Sequence, residues 1–179
     1  MKNQKIFQSN EFSCVTYSQG KLIIRLSPAK VGYKTPAFLE HIQGDIYEPI
    51  YLSCGLFRYF MILIDASIRW SHVCLLSTHN LAFAKLLAQI ICLRSHFPNN
   101  TIKTIRLNNA SEFTSQAFND YFISIEINVE HRIAHVHTRN GLAESFIKRL
   151  QLITRSLLMK SKLSISSWEY AILHAAILI

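Results

Sequence analysis

The sequence contains few acidic residues, and this scarcity bears on what the protein binds. Among 179 residues, 11 are Asp or Glu and 19 are Lys or Arg, which gives a formal net charge of +8. The isoelectric point is near 9.5. This balance favours a polyanionic partner. The candidates are a nucleic acid and an anionic membrane surface.

Long apolar runs and a signal sequence are also lacking. No run approaches the ~18 apolar residues that a membrane span needs, and residues 1–10 are polar. The four cysteines, Cys14, Cys54, Cys74 and Cys92, are scattered without a pairing pattern, so we interpret them as free thiols. We therefore expect a soluble, intracellular protein that is not a membrane component.

The sequence does have enough apolar residues for a folded core. Half of the residues are apolar and 17% are charged, which excludes wholesale disorder. The length fits one compact domain with an appendage, and no internal repeat or low-complexity tract interrupts it. We assign residues 1–34, which are polar and basic, to the appendage and linker, and residues 35–179 to the domain.

Hydrophobic patterning in residues 35–179 predicts alternating strands and helices. Three closely spaced strands indicate an antiparallel meander, and the helix after them is expected to be mostly buried. The whole order predicts an α/β fold with a five-stranded mixed sheet flanked by helices. The predicted strands are His41–Ile50, Arg58–Asp65, Ser71–Ser77, Ile102–Leu107 and Ile127–Ile133. The predicted helices are Asn80–Phe97, Ser115–Phe122, Asn140–Lys162 and one that begins near Ser167.

Three polar residues occupy positions from which they could meet at one edge of the sheet. Asp45 lies in the first strand within GDIYEPI, Asn108 follows the fourth strand within IRLNNASEF, and Glu144 lies in the first turn of the long helix within NGLAESFIKRL. Between Asn108 and Glu144 stand 35 residues. In these motifs the region from Thr35 to Ile179 resembles the integrase catalytic core of retroviruses and long-terminal-repeat retrotransposons, most closely the copia-type elements.

The resemblance implies a ribonuclease H-like fold and an Asp, Asp, Glu triad that holds two divalent cations for DNA strand transfer. It assigns Asp45, Asn108 and Glu144 as both catalytic residues and ligands of Mg²⁺ or Mn²⁺. Asn108 stands where the family has the second Asp, which removes one negative charge. Ser111 also stands where the family commonly has Gly. We therefore expect a weakened metal site and impaired catalysis.

The resemblance also bears on both ends of the chain. Copia-type proteins carry a zinc-binding His/Cys segment before the core. Here Cys14 matches the first cysteine of its final pair, but Tyr17 stands in place of the second. Four N or S ligands are needed for a structural zinc site, so we expect residues 1–34 to be a remnant that binds no zinc. At the other end, residues 35–179 are expected to be incomplete relative to a full integrase.

The long helix carries a second candidate interface. Its apolar stripe is predicted to comprise Leu142, Phe146, Leu150, Ile153 and Leu157. On the opposite side, a polar and basic face continues from Glu144. This face is either solvated or in contact with phosphates, and in the resembled family the helix contacts element DNA. The candidate nucleic-acid-binding residues are Lys148, Gln151, Arg155 and Lys162.

Other conspicuous residues receive structural interpretations. Asp65 is expected to cap the turn toward Ser67 or to pair with Arg69. His131, His135 and His137 are interpreted as polar loop residues, some of which could contact phosphate. Trp70, Trp168 and the cysteines Cys54, Cys74 and Cys92 are interpreted as packing residues.

Three functions remain open from the sequence. The first is an impaired integrase core that still binds DNA, with a possible homo-oligomer and, by resemblance, a nuclear location. The second is a residually active polynucleotidyl transferase. The third is a domesticated interaction module in which the old active site plays no part.

Overall fold

A computed structural model describes residues 36–48, 55–108, 113–131 and 141–179. Five strands form one sheet, and four α-helices and a short 3₁₀ helix, Ile165–Ser167, are present in these residues. The strands are β1 (His41–Tyr47), β2 (Tyr59–Asp65), β3 (Ser71–Leu76), β4 (Thr104–Leu107) and β5 (Asn128–His131). The α-helices are α1 (Leu81–His96), α2 (Gln116–Ser124), α3 (Gly141–Ser161) and α4 (Trp168–Ile177). The predicted order of elements is confirmed.

The sheet is mixed and has β1 at its centre. The strand order is β3-β2-β1-β4-β5. The pairs β1–β2 and β2–β3 are antiparallel, as the predicted meander requires. The pairs β1–β4 and β4–β5 are parallel. Because parallel strands end at the same edge of a sheet, β1, β4 and β5 present their carboxyl ends together.

Two apolar cores lie on the two faces of the sheet. One forms against α1 and α2 and contains Ile42 of β1 and Leu107 of β4. The other forms against α3 and α4 and contains Ile62 of β2. Strand residues alternate between the two faces, so helices cover both sides of the sheet. The architecture is therefore a three-layer α/β/α arrangement.

Gly44 allows β1 to pack closely at the centre of the sheet. A Cβ atom at this position would lie 2.8 Å from a methyl carbon of Leu107 and 2.9 Å from one of Leu63. Both leucines are fully buried, so they have little room to move. The glycine next to Asp45 thus serves core packing.

Asp65 fixes the turn between β2 and β3, as one of its two proposed roles predicted. The carboxylate is fully buried. It accepts hydrogen bonds from the backbone N–H groups of Ser67 at 3.0 Å, Ile68 at 2.7 Å and Leu39 at 2.9 Å. The alternative pairing with the Arg69 side chain is absent from the described residues.

The structure corrects the expectation that the helix after the meander is mostly buried. In α1 only one side is buried, through Ala82, Leu86, Ile90 and Leu93. Ile91 on the outer side is 56% exposed. The helix is the outermost layer over its part of the sheet, so its apolar outer residues face away from the core.

The long helix α3 also differs from its prediction in which side is buried. Phe146 and Leu150 are buried as expected, but Ala143, Ile147 and Thr154 complete the buried side. Leu142, Ile153 and Leu157 are only partly buried. The polar face that begins at Glu144 therefore borders the buried side instead of lying opposite it.

Two sets of predictions lie outside the described residues. The first set concerns the appendage, residues 1–34, which includes Cys14 and Tyr17. The second set concerns single residues in the loops, namely Ser111, Cys54, His135 and His137. Within the described part of the chain, no helix has both the length and the apolar character required to cross a bilayer.

Candidate active site and nucleic-acid interface

Asp45 lies near the carboxyl end of the central strand and faces the α3 layer. Its antiparallel partner on β2 is Ile62, which belongs to the core beneath α3 and α4. Tyr47, two residues further along the same face of β1, packs against that core as well. Residues directly opposite each other, and residues two apart on one strand, share a face of the sheet. Asp45 is therefore directed toward the helix that carries Glu144.

Asn108 is brought to Asp45 by the parallel register of β1 and β4. The register pairs His41 with Thr104 and Gln43 with Arg106. The residue numbers of Asp45 and Asn108 differ by 63, which is the same difference as in these registered pairs. Asn108, the residue after β4, is therefore the register partner of Asp45. The Asn108 side-chain amide donates a hydrogen bond of 2.6 Å from Nδ2 to Asp45 Oδ1.

The two oxygens of this pair are in different situations. Asp45 Oδ1 also accepts a hydrogen bond of 2.9 Å from the backbone N–H of Ile46. Asn108 Oδ1 is buried and has no hydrogen-bond partner among the described residues. The amide thus directs its donor, and not its oxygen, at the carboxylate.

Glu144 lies in the first turn of α3, and α3 packs against β1 and β2. Its side chain is half-buried. Its neighbours Ala143 and Ile147 belong to the core that also contains Ile62, the strand partner of Asp45. Glu144 and Asp45 therefore lie on the same side of the sheet, between the same two layers.

The composition of this site bears directly on cation binding. Mg²⁺ prefers hard, anionic oxygen ligands, and the three side chains supply two carboxylates and one neutral amide. The amide N–H group occupies a position beside Asp45 Oδ1 that a cation would need. No group of three or more His, Cys, Asp or Glu side chains is placed to hold a metal ion within the described residues. The three side chains therefore supply fewer anionic oxygens than three carboxylates would, and the amide directs a donor at Asp45 Oδ1.

The four predicted nucleic-acid-binding residues occupy three different locations. Lys148 is exposed on the helix. Gln151 and Arg155 line a cavity between the sheet, α3 and α4. Lys162 does not continue the helical face, because α3 ends at Ser161 and Lys162 has a positive φ of 56°. The prediction that all four residues share one helical face is wrong for Lys162.

His131 does not lie at this site. It ends β5 and pairs in register with Leu107, which faces the core beneath α1 and α2. Its ring lies 6.5 Å from that of Phe118 on α2. The interpretation of His131 as a loop residue is therefore wrong, and its ring lies on the opposite face of the sheet from Asp45.

A further polar pair on the α3 side of the sheet was not singled out from the sequence. Arg106 of β4 forms an ion pair with Glu130 of β5, with 2.6 Å between Arg106 Nη2 and Glu130 Oε2. Beside them, burial and the Arg106 charge, in that order, lower the pKa of His41. The sequence signal was the alternation of polar and apolar residues in IKTIRL and NVEH, which indicates that the two faces of each strand differ in burial.

The sheet order, the placement of Asp45 on the central strand and the long helix after β5 form an α/β fold that is consistent with the ribonuclease H-like core of integrases. No family model matches the chain. The chain is similar to the retrovirus-related Pol polyprotein from transposon TNT 1-94 of Nicotiana tabacum, with 29% identity over 142 residues. The match covers 79% of this chain and 11% of that polyprotein.

A solved structure has the same fold. It is a chain of the simian T-cell lymphotropic virus intasome in complex with PP2A regulatory subunit B56 gamma, determined by cryo-electron microscopy. The TM-score is 0.59 and the identity is 15%, over 82% of this chain and 53% of that chain. This chain therefore spans about half of the matched chain in that complex and about a tenth of the plant polyprotein.

Proposed function

We propose that this chain is the integrase core of a copia-type retrotransposon that binds DNA but has lost most or all of its metal-dependent strand-transfer activity. In this proposal Asp45, Asn108 and Glu144 are the descendants of a catalytic and metal-binding triad. The observation that carries it is the hydrogen bond of 2.6 Å from the Asn108 amide to Asp45. In this proposal the N–H donor binds Asp45 Oδ1 at the position where a cation would otherwise bind.

DNA is the proposed partner because the chain is positively charged and because basic side chains are exposed on and directly after α3. The chain has a formal net charge of +8. Lys148, in the first half of α3, and Lys162, directly after its last residue, are both exposed. Each Lys or Arg that meets a phosphate releases condensed counterions. By resemblance to integrases, we expect the protein to act in the nucleus. A second copy of the chain is a further expected partner.

Binding to a labelled DNA duplex at several salt concentrations tests the partner. We expect the double change Lys148→Ala with Lys162→Ala to weaken binding to all sequences alike. We also expect it to reduce the slope of log affinity against log salt by about 0.9 for each lost contact. The matched control is Lys85→Ala with Arg94→Ala, which removes the same charge from α1 on the other side of the sheet and should change the slope less.

Salt-independent binding, or no binding, would contradict the DNA proposal and favour the domesticated interaction module. An equal loss in the α1 control would show that overall charge, and not α3, attracts the duplex.

Nicking of labelled duplex in Mg²⁺ or Mn²⁺ tests the loss of catalysis. The expected result is that the protein nicks no faster than its Glu144→Gln variant, since neither holds the cations that in-line phosphoryl transfer requires. Metal-dependent nicking that Glu144→Gln abolishes would instead establish the residually active transferase.

A further inference from the structure

A cavity of 290 Å³ lies between the sheet and the layer formed by α3 and α4. Its walls are mostly apolar, with Tyr47 of β1, Phe60 of β2, Leu158 of α3 and Ile172 of α4 among the lining residues. The volume is close to the lower end of the range of small-molecule sites, about 300–1,000 Å³. It lies beyond Asp45 on the same face of β1 and contains none of the three triad residues.

One wall of the cavity carries a buried hydrogen-bond donor that has no acceptor. Trp168 lines the cavity and is 6% exposed, and its indole Nε1 has no hydrogen-bond partner among the described residues. An indole N–H can only donate, and buried indoles usually find a partner. The hydroxyl of Thr154, also in the lining, already donates to the backbone oxygen of Leu150 at 2.8 Å.

The rim of the cavity is positively charged. Arg155 lines it and is exposed, and no ion pair joins its guanidinium to another described residue. Among the described residues that line the cavity, none has an acidic side chain. A guanidinium binds a carboxylate through two parallel hydrogen bonds. The cavity therefore combines apolar walls with the hydrogen-bond donors of Trp168 and Arg155, of which Arg155 is positively charged. None of the described lining residues would repel an anion.

We propose that this cavity binds a small apolar carboxylate, with the apolar part between Tyr47, Phe60 and Ile172 and the carboxylate at Arg155. The Trp168 N–H donates to an oxygen of the same ligand. Water is a poor substitute, because a buried water needs two to four polar partners and the inner walls are apolar. A DNA duplex fits less well, because it keeps its bases stacked and presents phosphates, which have no apolar part to fill the cavity.

The test follows the indole N–H signals of the full chain by NMR during titration with phenylbutyrate. The sequence has two tryptophans, so the Trp70→Phe variant assigns the Trp168 signal. We expect a saturable shift of the Trp168 signal. Arg155→Gln should weaken phenylbutyrate binding at least tenfold and leave the binding of the neutral analogue phenylbutanol within twofold.

The matched control is Arg149→Gln, which removes the same charge from an exposed position of α3 outside the cavity lining. This variant should bind phenylbutyrate within twofold of the parent. The proposal is overturned if the Trp168 signal does not respond, or if Arg149→Gln weakens binding as much as Arg155→Gln. It is also overturned if duplex DNA, and not phenylbutyrate, shifts the Trp168 signal.

Discussion

Asp65 and Asp45 show that two carboxylates on neighbouring strands serve different purposes. Both belong to strands, and in both cases a carboxylate oxygen accepts a hydrogen bond from a backbone N–H. Asp65 is fully buried and accepts three such bonds, two of them from the turn that follows it. Its environment leaves no room for a ligand, whereas Asp45 is part-buried and opens toward Asn108.

Replacing Asp65 with Ala should therefore destabilise the fold strongly. Three backbone N–H groups would lose their acceptor, and hydrogen bonds to a charged group contribute about 1.5–3 kcal/mol each before relaxation and water entry reduce the sum. We expect a loss of about 2–4 kcal/mol in the free energy of unfolding, measured with urea. Asp120→Ala is the control, because Asp120 is exposed and bonds only within its own helix. An equal loss in both variants would contradict this role of Asp65.

His72 gives the stability a pH dependence. Burial, followed by the nearby charge of Lys85, lowers its pKa below the usual value of about 6.5. Below the pKa of the unfolded state, the native state then binds fewer protons than the unfolded state. The contribution of His72 to the free energy of unfolding is therefore fully present above that pKa and decreases as the pH falls below it. The ring is stacked on Trp70, with 6.2 Å between ring centres.

His72→Phe keeps a flat ring but cannot be protonated. The free energy of unfolding should therefore fall less between pH 7.5 and pH 5 in this variant than in the parent, although His41, whose pKa burial also lowers, continues to contribute. Chemical denaturation at both pH values measures the difference. Identical pH dependence in the two proteins would show that His72 does not couple to folding.

At the scale of the elements, α3 ends in a defined backbone motif with an unfavourable residue. The N–H of Leu163 bonds to the oxygen of Leu158 at 3.2 Å, and that of Lys162 bonds to the oxygen of Met159 at 3.4 Å. This pattern is the Schellman motif, in which glycine is preferred at the residue with positive φ. Here that residue is Lys162, with φ 56°.

Lys162→Gly should stabilise the protein by about 0.5–1 kcal/mol, because glycine adopts positive φ without the steric cost of a Cβ atom. Thermal or urea unfolding measures the change. Lys160→Gly provides the opposite control, since Lys160 lies inside the last turn of the helix and glycine there should cost about 1 kcal/mol. Destabilisation by both changes would contradict the assigned end of α3.

The sequence predicted the type and order of the elements but not every buried face. In α3, a stripe chosen from apolar residues missed Thr154, which is 7% exposed. Its hydroxyl bonds to Leu150 in the preceding turn, so this polar residue is satisfied within its own helix and packs inward. In α1 the apolar pattern overestimated burial. Leu81 and Ile91 are exposed because no further layer of the described residues covers them, and the sequence alone does not show this.

At the scale of the whole molecule, the site is predictable to the extent that strand topology determines it. Asp45 and Asn108 lie at the carboxyl ends of neighbouring parallel strands, and one register offset brings them together. Motif spacing identified both residues. The direction of the Asn108 amide and the cavity beside Trp168 depend on contacts between distant segments, so no local pattern in the sequence indicated them.

The site predicts the effect of replacing the side-chain nitrogen of Asn108 with an oxygen. The Asn108→Asp variant would place two carboxylates where an amide now donates to Asp45 across 2.6 Å. Two carboxylates at this distance either share a proton, so that only one is ionised, or both stay ionised with a cation between them. The shape of the side chain is nearly unchanged, so the variant isolates the effect of charge.

Thermal unfolding of the protein and of Asn108→Asp, with and without Mn²⁺, tests the central claim that Asn108 has replaced a cation at Asp45. The account predicts no metal-dependent shift in the protein. It predicts an increase of several degrees in Asn108→Asp, since a cation at 100 times its Kd stabilises the native state by about 2.7 kcal/mol. Adding Glu144→Gln to Asn108→Asp should reduce that increase. If Mn²⁺ stabilises the unmodified protein as much as Asn108→Asp, the claim is contradicted.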